Sequence, residues 1–85
     1  MATATAQPSP NPNAMRFQLD VTLPGTLSFN NAEEAQDHPF ARQVFATEGV
    51  AAIFGVNDFV TVTRRPGADW APIVSTVEQA AAAHL

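Results

Sequence analysis

Two segments that alternate apolar and polar residues with a period of two constrain this chain most. In residues 15–21, Met15, Phe17, Leu19 and Val21 fall on one side, with Arg16, Gln18 and Asp20 on the other. In residues 59–63, Val60 and Val62 stand opposite Phe59, Thr61 and Thr63. Successive strand side chains point to opposite faces, so each segment predicts a strand with one buried face. Each has a nearby companion. Pro24-Gly25 is a turn signal, and residues 26–29 read as a short second strand with Leu27 and Phe29 on one face. The apolar run 50–54 leads through Gly55-Val56-Asn57-Asp58 into residues 59–63. The expectation is two β-hairpins.

Two helices complete the pattern. Asn30 or Asn31 suits an N-cap, and Ala32-Glu33-Glu34-Ala35 predicts one helical turn, with acids placed to suit the helix dipole. A firmer helix follows. Asp37 or His38 caps it, Pro39 fits its first turn, and Phe40, Ala41, Val44 and Phe45 form its apolar stripe. Gly49 is expected to stop it as a left-handed C-terminal residue. Arg64-Arg65-Pro66-Gly67 breaks the last strand. Asp69 then caps a second helix, with Trp70, Ile73, Val74, Val77 and Ala81 on one face and Pro72 tolerated in the first turn. The order β-β-α-β-β-α predicts an α+β two-layer sandwich: a four-stranded, mainly antiparallel sheet with both helices on one face.

The 85 residues allow a single domain with a small core. Residues 1–6 are expected to form a flexible tail, and residues 7–85 the domain. Pro8, Pro10 and Pro12 stiffen residues 7–13 into an extended arm suited to a sheet edge.

Composition narrows the chemistry. Hydrophobic residues make up 46% and charged residues 14%, the balance of a globular chain. Absence of cysteine excludes a disulfide scaffold, a thiolate metal site and a Cys nucleophile. Absence of lysine excludes a Schiff base. A net charge of −4, with only Arg16, Arg42, Arg64 and Arg65 cationic, gives no basic field for nucleic acid. No apolar run reaches membrane-spanning length, and residues 1–6 lack the pattern of a secretory signal. A soluble, cytoplasmic monomer is expected.

No active-site constellation stands out, so no enzyme activity and no cofactor are expected. His38 and His84 lack a nearby Ser or Cys at any motif spacing, and Glu33-Glu34 are adjacent rather than facing. Glu33, Glu34, Asp37 and His38 are a conceivable metal set, although a solvated acidic first turn accounts for them better, since Pro39 and the cap position of Asp37 put His38 at the helix start. The arginines fit either an anion or peptide contact or surface ion pairs. Phe54 and Phe59 share a hairpin, and Phe59 lies opposite Val60 and Val62. With helices on one face only, the other face would expose an apolar patch of the kind that marks a binding surface.

The stretch QPSPNPNAMRF (residues 7–17) resembles the opening of the Nfu/NifU-type scaffold protein N-terminal domain. HPFARQVF (residues 38–45), then Glu48-Gly49-Val50 and Phe54, resemble its helix and following strand. NDFVTVT (residues 57–63) and Asp69-Trp70 match its remaining signatures. The resemblance runs from about residue 7 to residue 77. It implies a compact α+β domain tied to iron–sulfur cluster assembly or delivery, which in full-length proteins precedes a domain whose C-x-x-C pair holds the cluster. Without cysteine, cluster ligation does not carry over. The accessory role does: a non-catalytic domain contacting protein partners, such as assembly factors or apo-clients. The family is also associated with iron binding, which these residues support little. Asn11, Asn13, Arg16, Arg42, Phe59 and Arg64 are the expected partner-binding residues. A general peptide-binding module and a weak metal-binding protein are the alternatives.

Overall fold

The computed structural model describes residues 2–7 and 12–85. In chain order the elements are β1 (Ala4–Gln7), β2 (Ala14–Leu19), β3 (Leu27–Phe29), α1 (Pro39–Phe45), β4 (Val50–Val56), β5 (Phe59–Arg64) and α2 (Trp70–His84). The strands form one antiparallel sheet in the order β1-β2-β5-β4-β3. The helices pack on each other, with α2 against β1 and α1 against β4. The α+β class and the single helical layer are as expected, but the sheet has five strands rather than four.

The fifth strand is β1, in a segment expected to be a flexible tail. Ala2, Ala4 and Ala6 alternate with Thr3 and Thr5, a pattern muted because alanine is weakly apolar and a poor strand former. Small size is what the position requires. Ala2 and Ala4 are buried, and the Ala2 N–H donates to the Ala81 carbonyl of α2 at 3.3 Å. The arm segment 8–11, which includes Asn11, lies outside the described residues.

The first predicted hairpin does not form. β2 pairs with β1 and β5, whereas β3 pairs with β4 at the opposite edge. Sequential strands pair in most proteins, which made the hairpin the natural reading. Here residues 20–26 instead cross the end of the β4–β5 hairpin. The Leu19 N–H donates to Asp58 O at 2.8 Å and the Leu23 N–H to Asn57 O at 2.6 Å. Leu23 is buried over Gly55, where any Cβ would stand 3.0 Å from its Cδ1. The second hairpin forms as expected, with Val56 opposite Phe59 across Asn57-Asp58.

The core lies between sheet and helices. Phe17, Leu19, Ile53, Val60 and Val62 point from the strands into Phe40, Ala41 and Val44 of α1 and Ile73, Val77, Ala80 and Ala81 of α2. At seven residues α1 is too short to persist alone, so its three buried residues hold it in place. His38 caps it: Nδ1 accepts from the Ala41 N–H at 3.3 Å. Asp69 caps α2 by accepting from the Ala71 N–H at 3.1 Å.

Two local expectations change. Residues 32–38 form successive tight turns rather than a helical turn, with Ala35, Gln36 and His38 donating three residues back. Asn31 Oδ1 accepts from the Glu34 N–H and Glu34 Oε1 from the Asn30 N–H, so side chains satisfy the backbone there. Gly49 is not the C-terminal residue of α1. Ala46 caps that helix in a right-handed conformation, and Gly49 (φ 99°) turns the chain into β4.

Candidate functional site: the open sheet face

Alternation along the strands leaves one sheet face without a helix. Register fixes its composition. One cross-strand row runs Gln7, Arg16, Thr61, Phe54, Ser28; the next runs Thr5, Gln18, Phe59, Val56. Phe54 is 46% exposed, the one large hydrophobic so exposed among the described residues. The Arg16 guanidinium lies 4.0 Å from the Phe59 ring centroid. No carboxylate pairs with Arg16 among the described residues. The face is therefore aromatic, threonine-rich and carries one positive charge, whereas the eight acids sit on turns and helices.

The predicted partner-binding residues separate into groups. Arg16 and Phe59 come together at the centre of this face. Asn13 and Arg64 meet elsewhere, at the end of β5. Arg64 Nε donates to Asn13 Oδ1 at 3.4 Å, its NH1 donates to Ala68 O, and its guanidinium lies 5.5 Å from the Trp70 ring. Trp70 Nε1 donates to Pro12 O at 3.1 Å. These bonds tie residues 12–13 and the end of β5 to the start of α2, so Asn13 and Arg64 have partners within the chain there. Arg42 stands exposed on α1, remote from the open face in the layer order. Phe54 is the residue the expected set lacked. The signal was present: counting back from Asn57-Asp58 pairs it with Thr61, on the same face as Phe59.

Two of the four candidate metal residues are otherwise engaged. Glu34 and His38 accept backbone hydrogen bonds, and the His38 ring sits 5.3 Å from the Phe29 ring. Among the described residues, no three His, Cys, Asp or Glu side chains converge as a metal set would. No helix among them is long and apolar enough to cross a membrane.

His38 and His84 line an apolar cleft of about 320 Å³ with Leu23, Leu27 and Phe40. Burial lowers the His38 pKa below 6.5, and the charge of His84 pushes it further down. A folded-state pKa below the unfolded value means that the unfolded chain binds the extra proton more readily. The stability due to neutral His38 is therefore complete above pH 6.5 and lost as the pH falls through the depressed pKa. Protonation at Nδ1 also removes the cap acceptor for Ala41. His38→Asn keeps a capping oxygen and does not titrate. Its melting temperature is expected to fall less than the wild type's between pH 7.5 and pH 5.5; equal falls would sink the assignment to His38.

Comparison with known proteins agrees with this architecture. The family described as scaffold protein Nfu/NifU N terminal matches residues 4–85. The NFU1 iron-sulfur cluster scaffold homolog, mitochondrial, of Drosophila erecta is 37% identical over 70 residues, covering 79% of this chain and 25% of that protein. Conserved virulence factor C of Staphylococcus aureus is 34% identical over 76 residues, covering 87% of this chain and 20% of its own length. The chain thus spans a quarter or less of these relatives. The crystal structure of protein SAV1430 from Staphylococcus aureus superposes with a TM-score of 0.77 at 26% identity, covering 92% of this chain and 96% of that one. The NifU-like protein of Saccharomyces cerevisiae shares the fold, with a TM-score of 0.76 at 19% identity over 94% of this chain and 75% of that one. Because the family match begins at β1 and ends with α2, taking in both the open face and the helical layer, the chain belongs to the Nfu/NifU scaffold protein N-terminal family.

Proposed function

We propose that this chain is a non-catalytic docking domain in iron–sulfur cluster assembly or delivery. It contacts assembly factors or cluster-requiring apo-proteins and does not itself ligate a cluster. Family membership supports the pathway, since the fly relatives carry the name of cluster scaffold homologs. Lack of cysteine supports the division of labour, because thiolates are the usual cluster ligands. The observation that carries the docking role is the open face, where Phe54 is exposed beside the Arg16–Phe59 stack. Exposed aromatic residues and arginine are the side chains enriched at binding hot spots.

The experiment is affinity capture from the source cell with wild-type and Phe54→Asp protein, read by quantitative mass spectrometry. Cluster-assembly proteins or cluster-requiring apo-proteins are expected to be enriched by the wild type and depleted at least tenfold with the variant. Phe54 projects from the open face, so the variant is expected to melt within a few degrees of the wild type. Reproducible absence of such proteins from the wild-type capture overturns the pathway.

A further inference from the structure

We propose that the cleft between the start of α1 and the end of α2 binds a small apolar carboxylic acid as its anion, with the alkyl chain on Leu23, Leu27 and Phe40 and the carboxylate at His38 and His84. None of the residues lining the cleft belongs to the cross-strand rows of the open face, so this site is separate from the docking surface.

The two imidazoles select an anion. His38 Nδ1 accepts from the Ala41 N–H, so the neutral ring carries its hydrogen on Nε2. That N–H has no hydrogen-bond partner among the described residues. His84 Nε2 lies 2.9 Å from Gln43 Oε1. An amide oxygen only accepts, so Nε2 carries the hydrogen there and Nδ1 is left to take a second proton. Burial, and then the charge of His84, lower the His38 pKa. No Asp, Glu, Lys or Arg side chain lines the cleft. Asp37 and Arg42 flank His38 in sequence, and Glu34 accepts from the Asn30 N–H; none of the three is in the cleft wall. Two like charges thus share one apolar cavity with no counter-charge, and a carboxylate bound beside them supplies it.

The rest of the wall selects a small alkyl acid. A volume of about 320 Å³ falls at the lower end of the range for small-molecule sites. Besides the two imidazoles, the Thr22 hydroxyl is the one polar side-chain group in the wall. One charged head and an apolar tail use these groups fully. A peptide would bring an N–H and a C=O with every residue, and those need partners that the aliphatic and aromatic wall does not offer. A bound carboxylate favours the charged form of each imidazole. The imidazole pKa values are therefore higher in the complex than in the free protein, binding takes up protons, and affinity rises as the pH falls.

The probe is hexanoate, with hexanamide as its uncharged counterpart. Each is titrated into the whole chain at pH 6.0 and pH 8.0, and amide and imidazole chemical shifts report both the affinity and the place of binding. Hexanoate is expected to saturate, to shift residues 21–24, 38–41 and 84–85, and to bind about fivefold or more tighter than hexanamide at pH 6.0. That preference is expected to shrink at pH 8.0. His84 is exposed at the end of α2, so His84→Gln is expected to keep the fold and lose most of the preference. His38→Asn, which keeps a capping oxygen, is expected to lose it too. Equal binding of acid and amide at both pH values, or a preference unchanged in both variants, would overturn the proposal. So would shifts centred on the open face, or a tripeptide ending in leucine that binds more tightly than hexanoate. Because this assay contains no other protein, its failure leaves the docking and pathway readings intact, and failed capture of assembly proteins leaves this site intact.

Discussion

Phe17→Ala is expected to cost about 3–5 kcal/mol of folding stability, the range for deleting a buried aromatic side chain. Phe17 is fully buried beneath the helices, between Ala6 of β1 and Val60 of β5 in the sheet register. No polar atom relieves the cavity its loss would leave. A domain of this length has a total stability of roughly 4–13 kcal/mol. The variant therefore loses a large part of the total, and its melting temperature falls by roughly 12 °C or more. Arg16, one residue earlier, supplies the contrast. It lies on the other side of the same strand, and its stacking on Phe59 is worth about 0.5–1 kcal/mol at an exposed site. Arg16→Gln should leave the melting temperature within a few degrees of the wild type. Thermal melts of the two variants read the strand's two faces separately, and similar losses would mean that Arg16 is a folding residue rather than part of a docking surface.

This separation of faces explains what was legible in the sequence. Residues 15–21 and 59–63 announced their buried sides because large apolar residues alternate with polar ones. The helix beginning at Pro39 was legible from its cap and stripe. β1 was not, because its inward residues are alanines and its buried area is small. The partner of β2 was also hidden, since alternation fixes which side chains face inward but not which neighbour supplies the hydrogen bonds. That choice rests on contacts distant in sequence, such as Leu23 under the β4–β5 turn.

The same reasoning applies to the site. Arg16 and Phe59 were readable as outward-facing because each falls opposite valine or phenylalanine in an alternating run. Their stacking required the β2–β5 pairing, which joins residues more than forty positions apart. The internal contacts of Arg64 and Asn13 were hidden for a related reason: a charged residue after a strand and an asparagine after prolines both look solvent-directed, whereas folding brings the two together and sets Arg64 against Trp70 and Ala68. Arg42 was read from charge alone, and the layer order places it away from the aromatic face. Family membership reflects largely such fold-specifying positions, so it speaks more to architecture than to the chosen partner.

Gly49→Ala is the second large loss, and two other glycines separate its causes. Gly49 has φ of 99°, and a Cβ there would stand 2.7 Å from the Ala68 Cβ. Neither partner is a flexible side-chain end, so backbone must move. Left-handed geometry costs a non-glycine residue about 1–2 kcal/mol, and overpacking adds about 1–3 kcal/mol. Gly67 has φ of 85° but nothing within 4 Å of its would-be Cβ, so Gly67→Ala carries the conformational cost alone. Gly25 has neither positive φ nor a neighbour within 4 Å, and Gly25→Ala should be neutral or stabilising by up to about 1 kcal/mol. Chemical denaturation of the three variants should therefore rank Gly49→Ala as least stable, then Gly67→Ala, then Gly25→Ala. The difference between the first two measures how tightly the chain entering β4 is pressed against the approach to α2. The Arg65 N–H donates to Gly49 O at 2.7 Å across this junction, so a forced separation would also loosen the start of the β4–β5 ladder, and with it the strands that carry Phe54 and Phe59. A Gly49→Ala variant no less stable than Gly67→Ala would show that the contact with Ala68 yields without cost.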